Sequence, residues 1–333
     1  MENALMRLST QPESRFKVIS NREVDKQSTS SAFIEANTVP VSLSELQRDH
    51  IIPVYVKDNE PLVSQYEFIE TTKEIISTIF RGEQILSPSI RCSHPIKGRI
   101  PDAKDKPASQ LEDWEKTLYY ERMMFVVEIP SIYDTIEGNT LNLTIGGVKA
   151  YNLDNLYNKK GAAEHFKVFI GFQNTVCTNL CVKTDGFMGD LRVSSSEQLH
   201  SAIYQLLGSY DQHLHLSQMQ SLSEHSISEQ QFAQLLGRCR MYPHLPSAQK
   251  KHIPELLYGD SQLTSVCRDY YKDVNFCRQE DGRINLWRLY NLFTGANKST
   301  YIDQFLDRSV NAINFASQIK KGLNGDTNMW YIS

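Results

Sequence analysis

Apolar positions are sparse over the first 48 residues, where Ser, Thr, Gln, Asn and charged side chains dominate. Such a stretch buries too little apolar surface to offset its ordering entropy, so residues 1–48 are expected to form a disordered arm. The first helical period begins after Ser64-Gln65-Tyr66-Glu67, which has capping-box spacing. Phe68, Ile69, Ile75, Ile76, Ile79 and Phe80 then share one face, and Gly82 closes the helix. From Pro88 the period changes to that of strands. Residues 90–96, 118–129, 141–151 and 166–172 are rich in β-branched and aromatic side chains. Turn signals at Glu137-Gly138-Asn139 and Asn158-Lys159-Lys160-Gly161 separate them. Leu141, Leu143 and Ile145 alternate, as do Phe166, Val168 and Ile170, which predicts sheets with one buried face. Gly146-Gly147 inside a strand signals a bulge or a close backbone approach.

After Val193 the period is helical to the end. Ser194 to Glu197 reads as a second capping box, followed by a stripe from Leu199 through Ile203, Leu206, Leu207 and Tyr210 to Leu214. Further helices are expected over 228–241, 260–271, 284–293 and 299–321, the last closed by Gly322. Strands followed by helices define an α+β fold: a largely antiparallel sheet with one capping helix, then a helical region. The expected divisions are the arm 1–48, an α+β sheet domain 49–193, a helical domain 194–323 and a tail 324–333.

Composition narrows the class. The chain has 333 residues with 40% hydrophobic and 22% charged side chains, ordinary values for a globular protein. Its longest wholly apolar stretch in the first domain is Met123–Val127, far short of a membrane span. The first thirty residues lack the apolar region of a secretory signal, so a cytoplasmic protein with no membrane partner is expected. Six scattered cysteines do not make a disulfide framework at this length, and reduced thiols are expected. A net charge of −4 removes the general argument for a nucleic-acid partner and leaves room for a local basic groove.

Most catalytic patterns are absent. Gly295-Ala296-Asn297-Lys298-Ser299-Thr300 resembles the tail of a phosphate-binding loop, but Asn297 and Leu292 stand where that loop needs glycine. The segment reads instead as a helix-to-helix turn with Ser299 as N-cap. Cys177 and Cys181 have no complementary pair at zinc-site spacing, since nine residues separate Cys267 from Cys277. His213 and His215 lie two apart on a helix and face different ways. No HExxH, GxSxG or GxGxxG occurs. No catalytic residue, metal ligand or cofactor is nominated.

Charge and rings suggest a binding surface. Arg91, His94, Lys97, Arg99, Lys104 and Lys106 form one basic segment, and Lys159, Lys160, His165 and Lys167 a second. Tyr119, Tyr120, Tyr151, Tyr157 and Phe166 lie in neighbouring strands and loops. Basic side chains track phosphates while rings stack on bases, which is what sequence-tolerant single-strand binding needs. Arg91, Lys97, Arg99, Lys159, Lys160, Lys167 and Tyr151 are therefore the expected nucleic-acid-binding residues.

Three segments carry a resemblance: Glu121–Pro130, Ile145–Asn152 and Phe166–Asn179. They resemble a Bacteroidetes domain-of-unknown-function family, number 3871. More distantly, Gln173-Asn174-Thr175 and Leu289–Thr294 resemble phage- and plasmid-associated proteins whose sheet carries a Cys-Gln-Asn-Thr-Leu-type segment. Phe172 stands where that pattern has Cys, and Val176 where it has Leu. The resemblance supplies no catalytic residues and implies mobile-element biology in a bacterial cytoplasm. It makes a non-enzymatic single-strand nucleic-acid-binding protein the leading expectation. A protein-interaction or counter-defence module, partnered by other mobile-element proteins, is the first alternative, and an enzyme with a dispersed site the second.

Overall fold

The computed structural model of the chain describes residues 32–48, 52–53, 63–103, 105–154, 163–325 and 330–332, with 52–53 described through their backbone. Its centre is an antiparallel six-stranded sheet. In spatial order the strands are β1 (Val39–Pro40), β3 (Ser89–Cys92), β6 (Arg122–Ile136), β7 (Asn139–Ala150), β8 (Glu164–Asn174) and β9 (Leu180–Val193). The expected Glu137-Gly138 turn joins β6 to β7, with both residues at positive φ (48° and 78°), the backbone twist that a two-residue hairpin requires. A second antiparallel sheet combines β2 (Ile52–Pro53), β4 (Pro95–Arg99) and β5 (Lys116–Tyr120). A third pairs β10 (Ser226–Ile227) with β11 (Ile284–Asn285).

The helices are α1 (Leu43–Arg48), α2 (Gln65–Ile79), α3 (Ser196–Ser209), α4 (Gln212–Ser223), α5 (Glu229–Met241), α6 (Ser247–Lys250), α7 (Asp260–Lys272), α8 (Leu286–Asn297) and α9 (Ile302–Leu323). No described helix is long and apolar enough to cross a membrane. Helix α2 starts at the expected capping box. Glu67 N–H donates to Ser64 Oγ at 3.1 Å, and Ser64 N–H to Glu67 Oε2 at 2.7 Å. The architecture is α+β, as the pattern predicts.

The main sheet departs from expectation in having two buried faces. Every residue of β8 is buried. Phe68 of α2 packs edge-on against Phe125 and Phe166 on one face, with centroids 5.1 and 5.0 Å apart. On the other face Ile302, Phe305 and Leu306 of α9 cluster with Met124, Val126, Val148 and Phe169. Alternation failed as a guide because polar-looking positions such as Lys149 and Lys167 are paired inside these layers rather than solvated. Gly146 and Gly147 do mark a close approach. A Cβ at Gly147 would overlap the Phe68 ring and the Lys167 carbonyl, and one at Gly146 the Phe125 carbonyl.

Other boundaries shift by identifiable causes. Residues 32–48 are not part of a disordered arm: Phe33, Ile34, Val41 and Leu46 are buried, so a few apolar anchors suffice to hold this stretch, while residues 1–31 lie outside the described residues. The cap of α3 is Ser195, accepting from Gln198 N–H at 3.3 Å, rather than Ser194. Asp211 caps α4 through Leu214 N–H at 2.9 Å and divides what reads as one helix. Tyr301, not Ser299, occupies the N-cap of α9, without a side-chain cap bond. The change from strands to helices falls after Val193, yet one hydrophobic core takes residues from both sides, Phe125 and Ile145 with Leu207, Trp287 and Phe293.

The segments carrying the resemblance meet in space. Asn179 Nδ2 donates to Asn291 O at 3.1 Å, and Lys298 Nζ donates to Cys177 O and, at 3.0 Å, to Thr178 Oγ1. Thr178 adopts φ of 56°, an unfavourable value for a β-branched residue. The turn between β8 and β9 is thus fastened to the α8–α9 corner. Lys298, the lysine of the rejected phosphate-loop pattern, is committed to that contact.

Candidate interaction surfaces

Among the described residues, the expected binding residues do not form one exposed surface. Arg91 in β3 is half-buried and donates through Nε and Nη2 to Thr38 Oγ1 and O, at 3.0 and 2.9 Å, so it holds the edge strand β1. Arg99 is 1% exposed, and its Nη1 donates to the Lys106 carbonyl. Lys167 faces α9, where it pairs with the Asp307 carboxylate and donates to Asp303 O at 2.6 Å. Tyr151 is buried, edge-on to Tyr119 at 5.3 Å. Of the five described residues Lys97 alone is exposed. Lys159 and Lys160 lie outside the described residues.

A pattern search also misses Arg122, which sits in a cleft of about 380 Å³ with Asn37, His94, Tyr301 and Asp303. Its Nε donates to Asn152 Oδ1 at 3.2 Å. Glu121 and Asp303 flank the guanidinium at 3.4 and 3.7 Å, and its carbon lies 5.8 Å from the Tyr301 ring centre. This arginine is neutralised by its own neighbours, which weakens the cleft as an anion site. Lys149 repeats the theme deeper in: it is fully buried, with Asp154 and Glu164 each 2.9 Å from Nζ.

Candidate nucleophiles and bases fare no better. Burial pushes the Cys177 thiol up to about 11 and Cys181 up to about 12, so both stay protonated at neutral pH. His215 is fully buried and its pKa is pushed down to about 3 by desolvation; its Nδ1 lies 2.6 Å from Tyr210 OH. Among the described residues, no group of three or more His, Cys, Asp or Glu could hold a metal ion.

The small sheet β2–β4–β5 is the contrasting region. Its inner side is anchored. Tyr119 is buried in the main core and Ile96 packs against it. At the strand end Gln65 Nε2 donates to Tyr120 O at 2.8 Å, and the Tyr120 side chain, on the same face as Leu118, donates through its OH to Glu45 at 2.7 Å. Its outer side carries Lys97 directly opposite Leu118, which is 56% exposed. Trp114, just before β5, is 70% exposed. Lys116 pairs with Asp113 at 2.7 Å, and Lys106 with Glu115. From 94 to 121 the sequence carries five Lys and Arg against six Asp and Glu. The acids at 112–115 lie outside the basic segment in sequence, and a short 3₁₀ turn brings Asp113 and Glu115 back against Lys116 and Lys106.

A protein-family model described as "Domain of unknown function, B. Theta Gene description (DUF3871)" matches residues 16–332. No curated protein matches the chain, and no solved structure does.

Proposed function

The chain belongs to that domain-of-unknown-function family, and we propose from its geometry that it is a non-enzymatic, cytoplasmic protein-interaction module whose docking surface is the outer side of the β2–β4–β5 sheet. One observation carries the reading. Trp114 stands 70% exposed in the 3₁₀ turn before β5, four residues ahead of the exposed Leu118 of a sheet whose inner side is fixed to the core. Tryptophan is enriched among the residues that dominate protein–protein binding energy, and exposed apolar side chains next to a rigid support need little ordering to dock. Near-balanced local charge suits a protein partner, which we take to be another mobile-element protein.

A single-stranded nucleic-acid partner has Lys97 and the Trp114 ring in its favour. Against it stand the burial of Arg99, Lys167 and Tyr151, and the pairing of Lys106 and Lys116 with acids. An enzymatic reading would need a reactive group open to a pocket, whereas the strongly shifted groups Cys181 and His215 are fully buried.

The test is affinity purification of tagged protein from the native host, comparing wild type with Trp114→Ala/Leu118→Ser. A protein companion recovered in stoichiometric amount with the wild type and lost from the equally folded variant supports the reading. Retention of the companion by the variant, or recovery of nucleic acid in its place, overturns it.

A further inference from the structure

The helical half contains two helix–strand–helix units with connections of different length. In the first, α4 leads through β10 into α5; in the second, α7 leads through β11 into α8. The two strands pair antiparallel, with Ile227 opposite Ile284. In each, the residue after that isoleucine caps the next helix: Ser228 accepts from Gln231 N–H at 3.2 Å, and Asn285 from Arg288 N–H at 2.8 Å. The first connection, residues 224–228, is too short for a calcium-binding loop, whereas the second, residues 273–285, has the length of the 12-residue helix–loop–helix calcium loop.

The second loop can be compared with the calcium pattern position by position. That pattern places oxygen ligands at positions 1, 3 and 5, glycine at 6 and a bidentate glutamate at 12. Gly282, at φ 78°, takes the glycine position and Asp281 the fifth. Counting from these, position 1 is Cys277, position 3 is Gln279 and position 12 is Arg288. The donor set therefore does not fit calcium. One carboxylate remains, and its Oδ1 already accepts from Arg283 N–H at 2.9 Å. Where the closing carboxylate should stand there is a cation.

That cation bridges the same two ends of the loop. Arg288 Nη1 donates to Cys277 O at 2.9 Å, linking positions 12 and 1. The loop between them closes on itself. Gln279 N–H donates to Arg283 O at 2.7 Å, Gly282 N–H to Gln279 O at 2.9 Å, and Tyr270 OH to Gly282 O at 2.6 Å. Arg288 also reaches outside the unit, where its Nε lies 3.7 Å from Glu137 Oε2, while Asn285 Nδ2 donates to Glu137 Oε1 at 2.5 Å. Glu137 is the non-glycine residue at positive φ on the tip of the β6–β7 hairpin. Its carboxylate balances the guanidinium and draws the sheet onto the helices.

We propose that Arg288 does in this loop the work an ion does in calcium-binding units, making the helix–loop–helix pair cation-independent and latching it to Glu137 of the main sheet. The groove such a pair offers elsewhere to a target helix is filled here by the chain itself. Phe293 of α8 packs edge-on to Phe315 of α9 with centroids 5.5 Å apart, and both belong to the common core.

The test is thermal melting of the full chain in EDTA and in millimolar calcium chloride. It covers the wild type, Arg288→Ala, Arg288→Lys, Glu137→Gln and the Arg288→Ala/Glu137→Gln pair. The wild type should melt at the same temperature in both buffers. Arg288→Ala and Glu137→Gln should each lower it, and together by less than the sum, because each removes half of one contact. Lysine keeps the charge without the planar fork and should recover part of the loss. A calcium-dependent rise for the wild type, single variants that melt like it, or losses that add would each overturn the proposal. Should Arg288→Ala fail to fold, Arg288→Lys with Glu137→Gln provides the same cycle.

Discussion

The main sheet and the β2–β4–β5 sheet are both antiparallel and draw on interleaved strands of the chain, yet they treat charge and rings in opposite ways. In the main sheet Lys149 and Lys167 are buried and matched by carboxylates, and Phe166 is sealed under α2, while Tyr151, just past β7, is buried against Tyr119. In the small sheet Lys97 and Leu118 remain in solvent, as does Trp114 in the turn that leads into it. A lysine beside an aromatic ring is therefore not a binding signal in itself; its layer decides. Two covering layers turn a basic residue into an internal tie, whereas in the small sheet Lys97 stays in solvent and only Arg99, at the end of the same strand, is buried against a carbonyl.

The largest effect should come from breaking a tie in the doubly covered sheet. Lys149→Ala strands Glu164 and Asp154 against apolar neighbours and should cost about 3–5 kcal/mol in urea unfolding. Next comes acid sensitivity. His215 has its folded pKa depressed to about 3 by burial, below the unfolded value, so the folded state binds fewer protons between the two. Its contribution is complete above about pH 6.5 and lost as pH falls toward 3. His215→Phe should flatten that slope in a pH series of melting temperatures. Gly147→Ala forces the Phe68 ring and a backbone carbonyl apart and should destabilise by about 1–3 kcal/mol or more, read by the same unfolding experiment. Smallest is Trp114→Ala, expected within about 0.5 kcal/mol of wild type. A large loss there would place Trp114 in the scaffold and erase the contrast between the sheets.

Much of the fold was legible in the sequence because local chemistry specified it. The Ser64–Glu67 box, the Glu137-Gly138 turn and the stripe of α9 depend on neighbours in sequence. What escaped depended on distant neighbours. Strand β9 escaped because Lys183, Thr184, Asp185 and Gly186 interrupt its period, where the β8–β9 register slips between Phe169/Phe187 and Gly171/Val182. The binding residues were misjudged for the same reason. Nothing near Lys167 in sequence announces Asp307, 140 residues on, and nothing near Arg99 announces the carbonyl that its guanidinium meets. Exposure of Trp114 was equally illegible, since a lone tryptophan in an acidic stretch reads as readily as a core residue.

Photocrosslinking tests the central claim, that the outer side of the small sheet is where a partner protein docks. A photoreactive amino acid is placed at position 118 and, as a control, at position 274, where Val274 is 92% exposed far along the chain. Both proteins are irradiated in native host cells. The account predicts a discrete protein adduct from position 118, absent from 274 and lost when Trp114→Ala is added. Equal labelling from both positions, or adducts of nucleic acid at 118, would contradict it.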